Sequence, residues 1–144
     1  MIKILFVCVH NSARSQMAEE LLRKEMGDRI EISSAGLEPG VLNPHVIEVL
    51  AEEGIDISQK QTQSVFDLFK QNKTYNFVIT VCDETSGERC PIFPGRVQRL
   101  HWSFPDPSVF AGSKTEIIEQ TKAVRDLIAR KIKEFAEHLN NLLS

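Results

Sequence analysis

A chain of 144 residues, 42% of them hydrophobic and 26% charged, has the composition of a soluble globular protein, and residues 1–144 are expected to form a single domain. The formal net charge of −3 argues against the basic face that nucleic-acid binding requires, and no apolar run approaches the roughly 18 residues of a membrane span. An anionic ligand must therefore be held by positive potential focused at one place in an acidic protein. The N-terminus enters a strand at once, without a basic, apolar and small-residue signal pattern, which points to a cytoplasmic protein. Three cysteines, an odd number, read as reactive thiols and not as a disulfide framework.

Ile2 to Val7, apolar but for Lys3, is a buried strand, and Met17, Ala18, Leu21, Leu22 and Met26 follow at helical spacing. Between them run Cys8, Val9, His10, Asn11, Ser12, Ala13, Arg14 and Ser15: a thiol at the mouth of a loop that feeds a helix N-terminus. The N–H groups of such a loop converge on one spot, the helix dipole adds positive potential, and Arg14 can grip two oxygens of a tetrahedral oxyanion. The same field favours a thiolate at Cys8. A cysteine ending a buried strand is also readable as an inert small hydrophobe, and Ser15 as an N-cap, a donor to the Cys8 sulfur, or both.

Gly27 supplies a C-cap, Ile30 to Ser33 alternates as a second strand, and Ser34-Ala35-Gly36 ends it. Those small residues either let the chain pass close under the Cys8 loop or merely turn. Pro39-Gly40 marks a loop, after which Asn43 caps and Pro44 opens a helix through Val46, Ile47, Val49 and Leu50, with His45 solvated in its first turn. Residues 55–63 read as polar and irregular, and a short helical segment surrounds Val65, Phe66, Leu68 and Phe69. Phe77 to Val81 is the third strand, with Cys82 and Asp83 at its C-terminal end, where parallel α/β sheets present functional groups. Asp83 to Arg89 should be exposed and weakly held, and Pro91, Pro94 and Gly95 keep the next stretch irregular. Val97 to Leu100 is a fourth strand and Trp102 to Pro107 a loop. The last helix, from about Lys114, carries Ile117, Val124, Leu127, Ile128, Ile132, Phe135, Leu139 and Leu142 on one face. Strands alternating with helices imply an α/β fold, a parallel sheet with helices on both faces.

The stretch from Val7 to Glu19 resembles the active-site loop of the low-molecular-weight tyrosine phosphatase superfamily, above all its arsenate reductase branch, in which thioredoxin usually restores the enzyme. Further matches are Ser33-Ser34-Ala35-Gly36, Asn43-Pro44, Gly54-Ile55-Asp56-Ile57-Ser58, Val81-Cys82-Asp83, Cys90-Pro91, and His101 to Pro107. Gln16, where the tyrosine phosphatases usually carry proline, and the later cysteine pair favour the reductase. The resemblance implies a four-stranded, flavodoxin-like sheet of order 2-1-3-4, with Cys8, Cys82 and Asp106 as neighbours at one edge.

It also implies roles. Residues Val9, His10, Asn11, Ser12, Ala13 and Arg14 would bind the oxyanion, arsenate or phosphate, and Cys8 would attack it. Asp106, in the family's Asp-Pro motif, would protonate the leaving oxygen, although Pro105 and Pro107 also make it readable as a turn residue. Cys82 would then attack Cys8 and release arsenite, and Cys90 would attack Cys82, leaving a disulfide for thioredoxin. Eight residues in a helix would span about 12 Å while a disulfide needs α-carbons within roughly 7 Å, so the segment between Cys82 and Cys90 must loop or unwind. Both thiols are expected in an exposed setting.

Ala13 stands where many relatives carry cysteine, and the interval from Cys82 to Cys90 is one residue longer than the resemblance suggests. Some members bind potassium near the loop; Asn11, Glu19 and Ser34 match those positions, but Gln63 replaces a helpful aspartate. No metal and no cofactor is assigned, and a zinc site of Cys82, Cys90, His10 and His101 lacks any C-x-x-C pair. The alternatives are a small tyrosine phosphatase using Cys8, Arg14 and Asp106, against which Phe110 stands where those enzymes usually show substrate-flanking tyrosines, and a thiol-based redox sensor or anion-binding module without turnover.

Overall fold

The computed structural model describes residues 1–82 and 96–144. Four strands, β1 (Lys3–Cys8), β2 (Glu31–Gly36), β3 (Phe77–Thr80) and β4 (Gln98–His101), form one parallel sheet of order β2-β1-β3-β4. Among the described residues four α-helices accompany it: α1 (Arg14–Met26), α2 (Pro44–Ala51), α3 (Val65–Lys70) and α4 (Lys114–Leu143). Cys8 lies beside Gly36 and Val7 beside Thr80 in register. Because all strands run one way, their C-terminal ends share one edge, where Cys8 ends β1, Cys82 follows β3 and Trp102 follows β4.

Side-chain alternation on the sheet divides the core in two. Ile4, Phe6, Cys8, Phe77 and Ile79 face α1, α2 and α4, while Leu5, Val7, Ala35 and Val78 face Val65 and Leu68 of α3 and Tyr75. Trp102, just after β4, seals the larger core with its ring 5.8 Å from Phe6 and 5.4 Å from Phe135.

The helix boundaries follow local chemistry. Gly27 takes φ +62° at the end of α1 and returns its N–H to the Arg23 carbonyl, a conformation that suits glycine. Asn43 Oδ1 accepts from the His45 and Val46 amides at the start of α2, with Pro44 in its first turn. Ser113 and Glu116 form a reciprocal capping box on α4.

Some expectations need correction. Strand β2 continues through Ser34-Ala35-Gly36 instead of ending there. Along α4 the buried apolar positions include Ile118, Val124, Ile128, Ile132, Phe135 and Leu139; Leu127 falls off the i, i+3 and i+4 series that runs from Ile128, whereas Leu142 stays on that series but is exposed in the last turn of the helix. His45 is half-buried and not freely solvated. The expectations for Asp83 to Arg89, Cys90, Pro91, Pro94 and Gly95 lie outside the described residues. No described helix is long and apolar enough to cross a membrane.

Candidate active site

The loop from Cys8 to Ala13 is suspended by its carbonyls. The oxygens of Cys8, Val9 and His10 accept from the amides of Leu37, Glu38 and Gly40; that of Asn11 from Gln16 Nε2; that of Ser12 from the Asn43 amide; that of Ala13 from Met17. In a planar trans peptide the next N–H points opposite to the carbonyl, so the amides of residues 9–14 are turned to the inside of the loop. One of them shows where that inside is: the Asn11 N–H donates to Cys8 Sγ at 3.0 Å. The loop is thus a concave set of donors gathered around a sulfur, the arrangement that binds a tetrahedral oxyanion.

Hydrogen-bond directions beneath the loop follow by elimination. Asn11 Nδ2 donates one proton to Ser15 Oγ (2.8 Å) and the other to Ser34 Oγ (2.9 Å). Ser34 Oγ donates to the Glu19 carboxylate at 2.6 Å, since a carboxylate only accepts. Ser15 Oγ, which accepts from Asn11, also stands 2.9 Å from Cys8 Sγ and donates to it whenever the sulfur is a thiolate. The sulfur is therefore met by a backbone amide and by the Ser15 hydroxyl. Ser15 is the sulfur's partner and not an N-cap; that position falls to Ala13, whose side chain makes no capping bond.

Asn11 sits at φ +56°, a left-handed conformation that asparagine tolerates better than most residues. Its Oδ1 accepts from Gln16 Nε2 and from the Gln63 amide, both at 3.0 Å, so both donors and both lone pairs of the side-chain amide are used. The Asn11 side chain is therefore a scaffold for the loop, while its backbone N–H faces the sulfur.

Gly36 shows why the end of β2 is small. A Cβ there would stand 2.8 Å from the Asn11 nitrogen, the His10 carbonyl carbon and the Val9 oxygen. Close passage under the loop is the reason, and a simple turn is not. Residues 60–63, read from the sequence as irregular, complete the floor. The Gln61 oxygen is 3.4 Å from Gln16 Nε2, Thr62 Oγ1 donates to the Gly40 carbonyl, Gln63 Nε2 donates to the Ser34 carbonyl and the Gln63 oxygen accepts from the Gly36 amide. Lys60 was not recognisable as a structural part of the site, because its partners Glu19 and Glu20 lie far off in sequence, and Gln16 and Gln63 stood out only through the family resemblance and not for their bonds to Asn11.

Arg14 is 3% exposed, with Nη1 donating to the Phe104 carbonyl at 3.2 Å and Nη2 standing 3.5 Å from Asp106 Oδ2. Asp106 Oδ1 accepts from the Ser108 amide at 2.9 Å and caps a single 3-10 turn, Pro107–Val109. One oxygen of Asp106 therefore fixes the turn, as the turn reading expects, and the other faces the arginine of the loop. Beside the loop lies a cleft of 330 Å³ lined in part by Ser12, Asn43, His45, Pro107 and Phe110.

Cys82 follows β3, whose extension pairs the Val81 amide with the Val7 carbonyl at 2.9 Å, so Cys8 and Cys82 leave neighbouring strands at the same edge and share the larger core. Cys82 is fully buried, contrary to the exposed setting expected. Cys90 lies outside the described residues. Among the described residues no three His, Cys, Asp or Glu side chains are grouped to hold a metal ion.

A phosphate-type cradle closing on a cysteine at the end of a central parallel strand defines a class. The chain belongs to the low molecular weight phosphotyrosine protein phosphatase family, whose model matches residues 3–143. It is 41% identical over 134 residues to the arsenate reductase of Shouchella clausii, covering 93% of this chain and 94% of that protein. In structure it resembles an arsenate reductase from Archaeoglobus fulgidus, with a TM-score of 0.74 and 25% identity over 93% of this chain and 98% of that one. It also resembles the thioredoxin-dependent arsenate reductase of Corynebacterium glutamicum, with a TM-score of 0.59 and 31% identity over 92% of this chain and 62% of that one.

Proposed function

We propose that this chain reduces arsenate to arsenite by a relay of Cys8, Cys82 and Cys90, with thioredoxin as the reductant in a cytoplasmic setting. The observation that carries the reading is the Cys8 sulfur, which meets the Asn11 amide and the Ser15 hydroxyl inside the inward-turned amides of its loop, one strand away from Cys82. The Cys8 thiolate attacks arsenic, an As–O bond breaks, and Asp106 gives the departing oxygen its proton while Arg14 holds two of the remaining oxygens. Cys82, as thiolate, then attacks the Cys8 sulfur; the S–As bond breaks with its electron pair going to arsenic, which leaves as arsenite. Two thiols have been oxidised to one disulfide, and arsenic(V) has become arsenic(III). Attack by Cys90 on Cys82 moves the disulfide outward, frees Cys8, and leaves Cys82–Cys90 for the dithiol of thioredoxin to reduce. The burial of Cys82 supports this order, since a sulfur enclosed in the core is sheltered from an external reductant until the disulfide is passed on.

The test is a single-turnover assay with thioredoxin omitted, followed by mass spectrometry. The parent should end with a Cys82–Cys90 disulfide, and Cys90→Ser should release one arsenite per enzyme and end with Cys8–Cys82. Cys82→Ser should release none while still hydrolysing an aryl phosphate, because water and not a thiol resolves a phosphocysteine. Steady turnover by Cys90→Ser with thioredoxin would remove Cys90 from the relay, and aryl-phosphate turnover with no arsenite from the parent would make the protein a phosphatase.

A further inference from the structure

Beneath the loop lies a charged group that neither the cradle nor the thiol relay uses. Glu19 is a nearly buried carboxylate on α1, 5% exposed. Its Oε2 pairs with Arg23 Nη2 at 2.7 Å, and its Oε1 accepts from Ser34 Oγ at 2.6 Å and from Lys60 Nζ at 2.6 Å. Lys60 also reaches Glu20 Oε1 at 2.9 Å, and Arg23 donates onward to the Ile32 carbonyl of β2. The lysine is aimed by its own turn: Ile57 is buried in the core, the Lys60 amide returns to the Ile57 carbonyl at 2.9 Å, and Asp56 Oδ1 holds the Ser58 amide. From Lys60 an unbroken series of short polar contacts runs through Glu19, Ser34, Asn11 and Ser15 to the Cys8 sulfur.

We propose that Lys60 is a positioning residue for the nucleophile: its ammonium neutralises the Glu19 oxygen that receives the Ser34 proton, and so keeps the Ser34, Asn11 and Ser15 bonds oriented toward the Cys8 sulfur. Arg23 does not substitute for it, because Arg23 holds the other Glu19 oxygen and lies 40% exposed, whereas the Lys60 side chain is 22% exposed. Loss of the ammonium leaves a buried anionic oxygen short of compensation, and the carboxylate relieves this by turning toward Arg23 and water. Ser34 Oγ then loses its acceptor, its proton is free to point elsewhere, and Asn11 loses the fixed partner that holds its amide in register with Ser15. The effect reaches the sulfur through atoms that Lys60 never touches.

The inference rests on Cys8 being the nucleophile and not on the relay that follows. The experiment measures the rate at which iodoacetamide modifies Cys8, read by peptide mass spectrometry, and the concentration of inorganic phosphate that halves that rate. A Cys8 left unmodified in the parent would fail the nucleophile reading itself, before any variant is compared. Lys60→Met should slow modification and weaken phosphate protection by about tenfold each, the scale of one lost charge-assisted bond. Lys60→Arg should retain most of both. The double variant Lys60→Met with Glu19→Gln should recover toward the parent, because a neutral amide oxygen still accepts the Ser34 proton and no buried charge is left over. The double variant also carries the test if Lys60→Met alone does not fold. Parent-like behaviour of Lys60→Met would overturn the proposal, and so would a double variant as impaired as the single one.

Discussion

At the scale of single residues, the site depends on a few protons whose directions are fixed. Both donors and both lone pairs of the Asn11 side chain are engaged, so no substitution reproduces them. Asn11→Ala should slow Cys8 modification by about a hundredfold, combining the freed loop with a misdirected Ser15, whereas Ser15→Ala removes one bond to the sulfur and should cost about tenfold. Both rates are measurable with iodoacetamide. Asp106→Asn separates binding from chemistry. An asparagine oxygen can still accept from the Ser108 amide, so the turn survives, but the atom facing Arg14 could no longer supply the proton that the proposed mechanism asks of Asp106. Oxyanion affinity should hold or rise, since a carboxylate that competes for Arg14 is gone, while the rate of adduct formation falls by about 10²- to 10⁴-fold. Equal loss of affinity and rate would make Asp106 a structural residue.

At the scale of elements, what shapes the site is the close stacking of three chain segments: the Cys8 loop, the end of β2 running on into residues 37–40, and residues 60–63. Gly36→Ala places a methyl group 2.8 Å from loop backbone atoms that cannot move without breaking the carbonyl anchors. It should destabilise the fold by about 1–3 kcal/mol and weaken phosphate binding, visible as a lower denaturation midpoint and weaker phosphate protection of Cys8. A parent-like Gly36→Ala would mean that the loop yields more easily than its bonds suggest. The sequence revealed these elements unequally. Cys8, Arg14 and Ser15 were legible because strand, loop and helix chemistry all act within a dozen residues, and Asn43-Pro44 because a cap is local. Residues 60–62 were not, and Gln63 entered only through the family resemblance, since it meets Asn11 across 52 positions through backbone and amide groups that leave no periodic signature. Arg125, nearly buried where it donates to the Val49 carbonyl, was hidden for the same reason in a helix otherwise read from its apolar spacing.

At the scale of the whole molecule, the balance of charge under the loop links the site to the stability of the fold. Glu19, Glu20, Arg23 and Lys60 tie α1 to β2 and to the turn after residue 57, so that the helix feeding the cradle cannot drift from the strands that carry it. Burial raises the tendency of Glu20 to hold a proton, but the hydrogen bond and charge of Lys60 and the charge and hydrogen bond of Arg23 outweigh it, and the carboxyl lies below its ordinary value of 4.5. A carboxyl whose folded value is depressed binds its proton more weakly in the folded chain than in the unfolded one. Its contribution to stability is therefore complete above the ordinary value and is lost as pH falls through the lower, folded value. Glu20→Gln removes that contribution at all pH values. The parent should accordingly unfold at higher denaturant concentration than Glu20→Gln at neutral pH, with the difference shrinking below pH 4.5 and disappearing once Glu20 is protonated in both states. Glu20 is partly exposed, so solvent and salt screen its pairs, and the difference at neutral pH should narrow as sodium chloride is raised. A difference that stays constant from neutral pH into acid would show that Glu20 acts through packing or side-chain shape, and that the charges under the loop do not couple the site to the fold in the way their geometry indicates.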